Sequence, residues 1–174
     1  IIGYMGTINS TRLDGELLYQ IISQRPDYSF VFTGPEDDIF RRNRIHSLKN
    51  AYFTGQKKVD ELPAYIAAYD VCINPQMVNE ITDGNYPLKI DEYLAMGKPT
   101  VATSTHTMRN IFAGHTHLAI NPEEWLAAID RAVTEADDKE LAKQRIAFAE
   151  THSWGHSVKK IYDIIDKFLK ERTT

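Results

Sequence analysis

The chain has 174 residues, a formal net charge of −4 and one cysteine; this suits a single domain with a proper core, and the lack of a basic stripe argues against a dedicated nucleic-acid binder. Cys72 can form no internal disulfide and reads as a small buried apolar residue of a reducing, cytoplasmic compartment. There is no signal-peptide pattern and no apolar run of about 18 residues that would make a membrane span.

In chain order, residues 1–5 read as a strand ended at Gly6. Thr11-Arg12-Leu13-Asp14 has the form of a capping box with Asp in place of Glu, and Leu13, Leu17, Leu18, Ile21 and Ile22 follow at helical spacing. Residues 29–33 make a second strand closed by Gly34-Pro35, and residues 50–54 a third closed by Gly55. Leu62, Tyr65, Ile66 and Tyr69 mark a helix, and residues 70–74 a fourth strand followed by Pro75 and a polar loop. Next comes a helix with both ends marked: Pro87 suits its first position and Gly97 the left-handed residue past its end. Pro99 then starts a strand over residues 100–103. Residues 105–112 predict a short helix and 118–120 a sixth strand. Trp125, Leu126, Ile129 and Val133 mark a helix, residues 136–150 another, and Val158, Ile161, Tyr162, Ile165 and Leu169 the last. The acidic cluster 135–140 reads as a solvated turn.

Strands alternating with helices predict an α/β fold, a Rossmann-like parallel sheet of about six strands with helices on both faces. Ligands of such sheets sit beyond the carboxyl ends of the strands. The chain opens on a strand rather than on Met, which predicts a fragment whose partner domain lies upstream.

Three constellations stand where chemistry is expected. Arg12 falls in the first turn of the helix after Gly6, where free N–H groups and the helix dipole favour a phosphate; the alternative is a surface pair with Asp14 or Glu16. The helix at Pro87 offers backbone amides near Leu88 and Lys89 to an anion. Its Glu92 can accept both hydroxyls of a vicinal diol such as ribose, although Lys89 and Glu92 also have the spacing of an ordinary helix-surface pair. Glu80 and Asp83 either face a substrate hydroxyl or keep their loop soluble, and His106 is near the same end of the sheet. His115 and His117 are expected to share one side of a strand, and His152 and His156 are four apart, but no closed metal set is visible. The glycines do not make G-x-G-x-x-G, so a nicotinamide cofactor is not favoured.

The run Pro87-Leu88-Lys89-Ile90-Asp91-Glu92-Tyr93-Leu94-Ala95-Met96-Gly97-Lys98-Pro99-Thr100-Val101-Ala102 resembles the P-x-K-x-x-E-Y-L-A-x-G-K-P-V-V-A signature of GT-B glycosyltransferases of group 1, which include family 4. Gly3-Tyr4-Met5-Gly6 with Arg12 and Asp14, Phe32-Thr33-Gly34-Pro35, the stretch from Tyr52 to Gln56, that from Glu61 to Val71, and Ser153-Trp154 resemble further parts in the same order. The resemblance implies that residues 1–174 are the C-terminal, donor-binding half of a two-domain enzyme, with an N-terminal acceptor half elsewhere. It implies a nucleoside diphosphate-sugar, UDP or GDP, as substrate, no cofactor, no metal, and a retaining, hexosyltransferase-like reaction in polysaccharide or cell-surface glycan synthesis. Membrane contact, at the inner face, would come only through the missing half, and the isolated half would be inactive.

By resemblance, Gly6, Arg12, Leu88 and Lys89 would serve the diphosphate and Glu92 the ribose. Gln56, Lys58, Glu80, Asp83 and Asn85 would serve the base or sugar, and no nucleophile is assigned. Two departures stand out. The position eight before Glu92, acidic in many relatives, is Gly84, and of the usual Arg–Lys pair after the first strand only Arg12 is plain. A domain that keeps the fold without catalysis, and half of a nucleotide-sugar 2-epimerase, are the alternatives.

Overall fold

The computed structural model describes residues 1–172. The chain runs β1 (Ile2–Met5), α1 (Gly15–Ser23), β2 (Phe30–Thr33), β3 (Ala51–Gly55), α2 (Leu62–Ala68), β4 (Val71–Asn74), α3 (Leu88–Ala95), β5 (Thr100–Thr103), β6 (His117–Ala119), α4 (Pro122–Thr134), α5 (Lys139–Glu150) and α6 (Trp154–Arg172). All six strands are parallel, in the order β3-β2-β1-β4-β5-β6. Every residue of β1, β4 and β5 is buried, as expected for central strands covered on both faces. On one face they meet Leu17, Leu18 and Ile21 of α1 and Trp125 and Ile129 of α4. On the other they meet Ile66 of α2, Ile90, Tyr93 and Leu94 of α3, and Met108 and Phe112. The predicted Rossmann-like α/β sheet is present.

Local departures have local causes. Asp14, not Thr11, caps α1: its Oδ1 accepts from Leu17 N at 2.9 Å, so the helix starts three residues later than the capping-box reading had it. Arg12 therefore lies in the loop before the helix. Pro87 is the cap of α3 rather than its first residue. The predicted helix 105–112 forms over residues 106–112, its last five residues, Met108–Phe112, in a π-helical turn. His117 begins β6, but His115 lies ahead of it and stacks on Phe148 at 3.9 Å, so the two histidines do not share a strand. The cluster 135–140 is not wholly solvated. Glu135 pairs with Arg145 and lies 3.0 Å from His117, while Asp138 caps α5.

The end of α3 follows the marked residues. Gly97 takes φ 72°, its N–H reaches Leu94 O at 2.8 Å, and Lys98 N reaches Tyr93 O at 3.0 Å, the pattern of a Schellman cap. The Lys98 ammonium donates to the carbonyls of Ala67 and Tyr69 at 2.8 and 2.6 Å, tying the end of α2 to the start of β5. The last helix forms where its apolar spacing predicts, yet Val158, Ile161, Tyr162 and Ile165 are all exposed. None of the described helices is long and apolar enough to cross a membrane.

Candidate functional site

The strand order reverses between β1 and β4, and a parallel sheet opens a crevice beyond the carboxyl ends at such a point. Here β1 ends in Gly6, whose φ of 136° only glycine adopts easily. A Cβ on Gly34, in the turn after β2, would lie 2.0 Å from Gly6 O, so two glycines let the turns touch. The chain from Asn9 to Asp14 is then laced to the loop after β4: Asp14 N donates to Pro75 O at 3.0 Å and Met77 N to Arg12 O at 2.8 Å. This fixes the Arg12 backbone at the mouth of the crevice. Its guanidinium is exposed and makes no hydrogen bond among the described residues. The surface-pair reading is not realised, because Asp14 caps α1 and Glu16 pairs with Arg44.

Lys89 does not pair with Glu92. Its ammonium turns inward, donates to the Tyr4 hydroxyl at 2.6 Å and lies 4.1 Å from the centre of that ring. Tyr4 in turn donates to Thr7 O at 3.0 Å. A Cβ on Gly6 would come within 2.6 Å of Lys89 Nζ, so the glycine makes room for the amine. Burial pulls the Lys89 pKa down to about 8; Glu92 favours the charged form and Arg12 opposes it. No side chain caps α3; Ile90 N reaches Pro87 O at 2.9 Å, while the N–H groups of Leu88 and Lys89 have no partner among the described residues.

Together these groups line a cleft of about 470 Å³ walled by Tyr4, Thr7, Arg12, Asn85, Tyr86 and Lys89, among others, with no carboxylate in its lining. Two cations, a helix N-terminus and no counter-charge make a receptor for an anion with several oxygens. Glu92 stands one turn further along α3, exposed and without a hydrogen bond among the described residues. It borders an apolar slot of about 250 Å³ formed with Met5, Leu62, Ile66 and Met96.

Of the residues singled out in the sequence, Gly6, Arg12, Asn85, Leu88 and Lys89 gather at the cleft, with Glu92 beside the neighbouring slot. Gln56, Lys58, Glu80 and Asp83 border neither. Gln56 and Lys58 are exposed beyond β3, and Glu80 is exposed in its loop. Asp83 caps the turn after β5, accepting from His106 N at 2.7 Å, and the His106 ring faces Asn110 at about 3.1 Å. Tyr4 and Tyr86 were not singled out: Tyr4 comes from β1, 85 positions before Lys89, and Tyr86 gains its role only through its hydrogen bond to Asp91. Among the described residues no group of three or more His, Cys, Asp or Glu is placed to hold a metal ion.

Residues 2–135 match the family described as glycosyl transferases group 1. A Bacillus subtilis (strain 168) protein bearing the name teichuronic acid biosynthesis glycosyltransferase TuaH is 28% identical over 160 residues, covering 88% of this chain and 40% of that protein. Among solved structures, sucrose-phosphate synthase from Thermosynechococcus elongatus superposes with a TM-score of 0.77 at 18% identity, over 98% of this chain and 46% of its own. Anabaena Alr3699/HepE, crystallised with UDP and glucose, gives 0.63 at 17% identity, over 97% and 47%. The chain thus spans less than half the length of each of these three. The match over residues 2–135, with the six-stranded sheet and its GT-B likeness, leads to one conclusion: the chain belongs to the glycosyl transferases group 1 family.

Proposed function

We propose that the chain is the C-terminal, donor-binding half of a glycosyltransferase that moves a sugar from a nucleoside diphosphate-sugar, UDP- or GDP-linked, to an acceptor held by an N-terminal half. The observation that carries this reading is the cleft that joins Lys89, Arg12 and the uncapped start of α3 with no carboxylate in its lining. A diphosphate matches it in charge and in number of oxygens. The free Glu92 carboxylate is one helical turn away, where a ribose diol would follow the diphosphate. The apolar slot beside it offers the base a flat, dry wall. The UDP and glucose bound to Anabaena HepE support a nucleotide-sugar as the ligand class.

In transfer, charge builds on the leaving diphosphate as its bond to the sugar breaks. Lys89, Arg12 and the helix N-terminus stabilise that charge in place, without a metal ion. The reaction is of the retaining type, and the full protein works in the cytoplasm in polysaccharide synthesis, a setting suggested by the printed name of TuaH. A second reading, nucleotide binding without transfer, draws on Gly84 at the position where many relatives are acidic.

Calorimetric titration of the chain with UDP and GDP tests the reading. One of the two is expected to bind, and Glu92→Ala is expected to weaken it by about 1–3 kcal/mol, the worth of hydrogen bonds to a charged group. No heat with either nucleotide at millimolar concentration would overturn the proposal. A donor-hydrolysis assay on the full-length protein separates transfer from binding alone.

A further inference from the structure

Asp91 precedes Glu92 on α3, and its carboxylate joins two elements that the donor reading leaves unexplained. Its Oδ2 accepts the Tyr86 hydroxyl at 2.6 Å, and its Oδ1 lies 2.9 Å from His152 Nδ1. An ionised carboxylate only accepts, so the imidazole carries its proton on Nδ1 in this contact. His152 sits in the turn between α5 and α6, its ring held edge-on by Phe148 at 4.5 Å and Phe112 at 5.8 Å. Tyr86 packs on Phe112 at 5.4 Å and lines the anion cleft together with Arg12. Burial first, and then the hydrogen bond and the charge of Asp91, raise the Tyr86 pKa, so the phenol stays a donor.

Tyr86 needs this anchorage. It follows Gly84 and Asn85 in the loop before α3, and a Cβ on Gly84 would meet nothing within 4 Å. The near backbone tie is a long one, Asn85 N to Thr82 O at 3.3 Å. The phenol–carboxylate–imidazole chain therefore adds a polar anchor to the packing on Phe112 and to the Asp83–His106 tie that holds the start of the loop.

We propose that Asp91 and His152 are positioning residues for the anion cleft: through the Tyr86 hydroxyl they hold its aromatic wall and couple it to the turn that launches α6. The inference rests on the nucleotide reading above. Holding a side chain in its binding rotamer spares the ligand that ordering cost, so releasing it shows as lost affinity without a lost contact.

The test is a double-substitution cycle on the 174-residue chain, titrated calorimetrically with UDP and GDP, with thermal unfolding recorded for every variant. Tyr86→Phe, Asp91→Ala and His152→Ala are each expected to weaken the bound nucleotide by about three- to tenfold. His152→Ala is expected to add nothing in a Tyr86→Phe background. His152→Asn, which puts an amide N–H where Nδ1–H stood, is expected to restore most of the affinity and to keep the fold if His152→Ala does not. Unchanged affinities in the single variants, or effects of His152→Ala and Tyr86→Phe that multiply, would overturn the positioning role alone. A wild-type chain that binds neither nucleotide would overturn the donor reading and this inference with it.

Discussion

The Tyr93 phenol, carried on α3, accepts the amide proton of Met5 at 2.8 Å and lies 3.2 Å from the Met5 carbonyl. Both residues are buried. The helix bearing Lys89 and Glu92 is thereby bolted to the end of β1, the strand whose last turn supplies Gly6.

Tyr93→Phe leaves the Met5 amide buried and unpartnered. The expected loss is about 1–3 kcal/mol. For a domain of this size that is a fall in Tm of roughly 3–10 °C in thermal unfolding. A variant as stable as wild type would show that the bolt carries no weight.

Lys89→Met separates binding from stability. The amine is held against Tyr4 with its pKa pulled down to about 8, so at neutral pH its charge opposes folding. The variant is expected to unfold at the same or a higher temperature at pH 7. Its affinity for the nucleotide is expected to fall by about ten- to a hundredfold, as for a lost hydrogen bond between charged groups.

The same amine sets the response to pH. Its pKa is about 8 in the folded chain against an ordinary 10.5. Below pH 8 both states hold the proton and the cost of burial is fully present. Between pH 8 and 10.5 only the unfolded chain holds it, so stability from this group rises with pH. Nucleotide affinity runs the other way and declines from pH 7 to 9, because the anion binds the ammonium form. Titrations and melts across that range, with Lys89→Met as the reference that loses both trends, check the two signs.

Gly84→Asp tests the missing acidic residue directly. A Cβ there meets nothing within 4 Å and the backbone needs no glycine-only conformation, so the change is expected to cost less than about 0.5 kcal/mol. Nucleotide binding by the isolated chain is expected to persist. Donor hydrolysis by the full-length Gly84→Asp protein where the wild type shows none would favour the second reading and identify the glycine as its cause.

The sheet and most of its helices were legible because strands covered on both faces leave short apolar runs, and the helices between them carry 3.6-residue spacing. Boundaries slipped where two caps competed: Thr11 and Asp14 both suit an N-cap, and only Asp14 finds the free amide of Leu17. Leu88 and Lys89 were legible through the signature that starts at Pro87 and Arg12 through its place after Gly6, while Asn85, expected with the base or sugar contacts, lines the same cleft. The inward turn of Lys89 was not. Its spacing to Glu92 fits a surface pair equally well, and the deciding partner, Tyr4, lies 85 positions away. Asp83 looked available for a substrate until the amide of His106, beyond β5, claimed its carboxylate.

Lys98 gives the signature run a division of labour. Its first half carries Lys89 and Glu92, which face the cleft and the slot. Its second half, Gly97-Lys98-Pro99, spends its chemistry on the protein's own carbonyls at Ala67 and Tyr69. Under the proposed function, selection for donor handling and selection for an intact scaffold act on opposite ends of one short stretch. A descendant can discard the ligand end and keep the fastening end, remaining recognisable in sequence after its chemistry has gone.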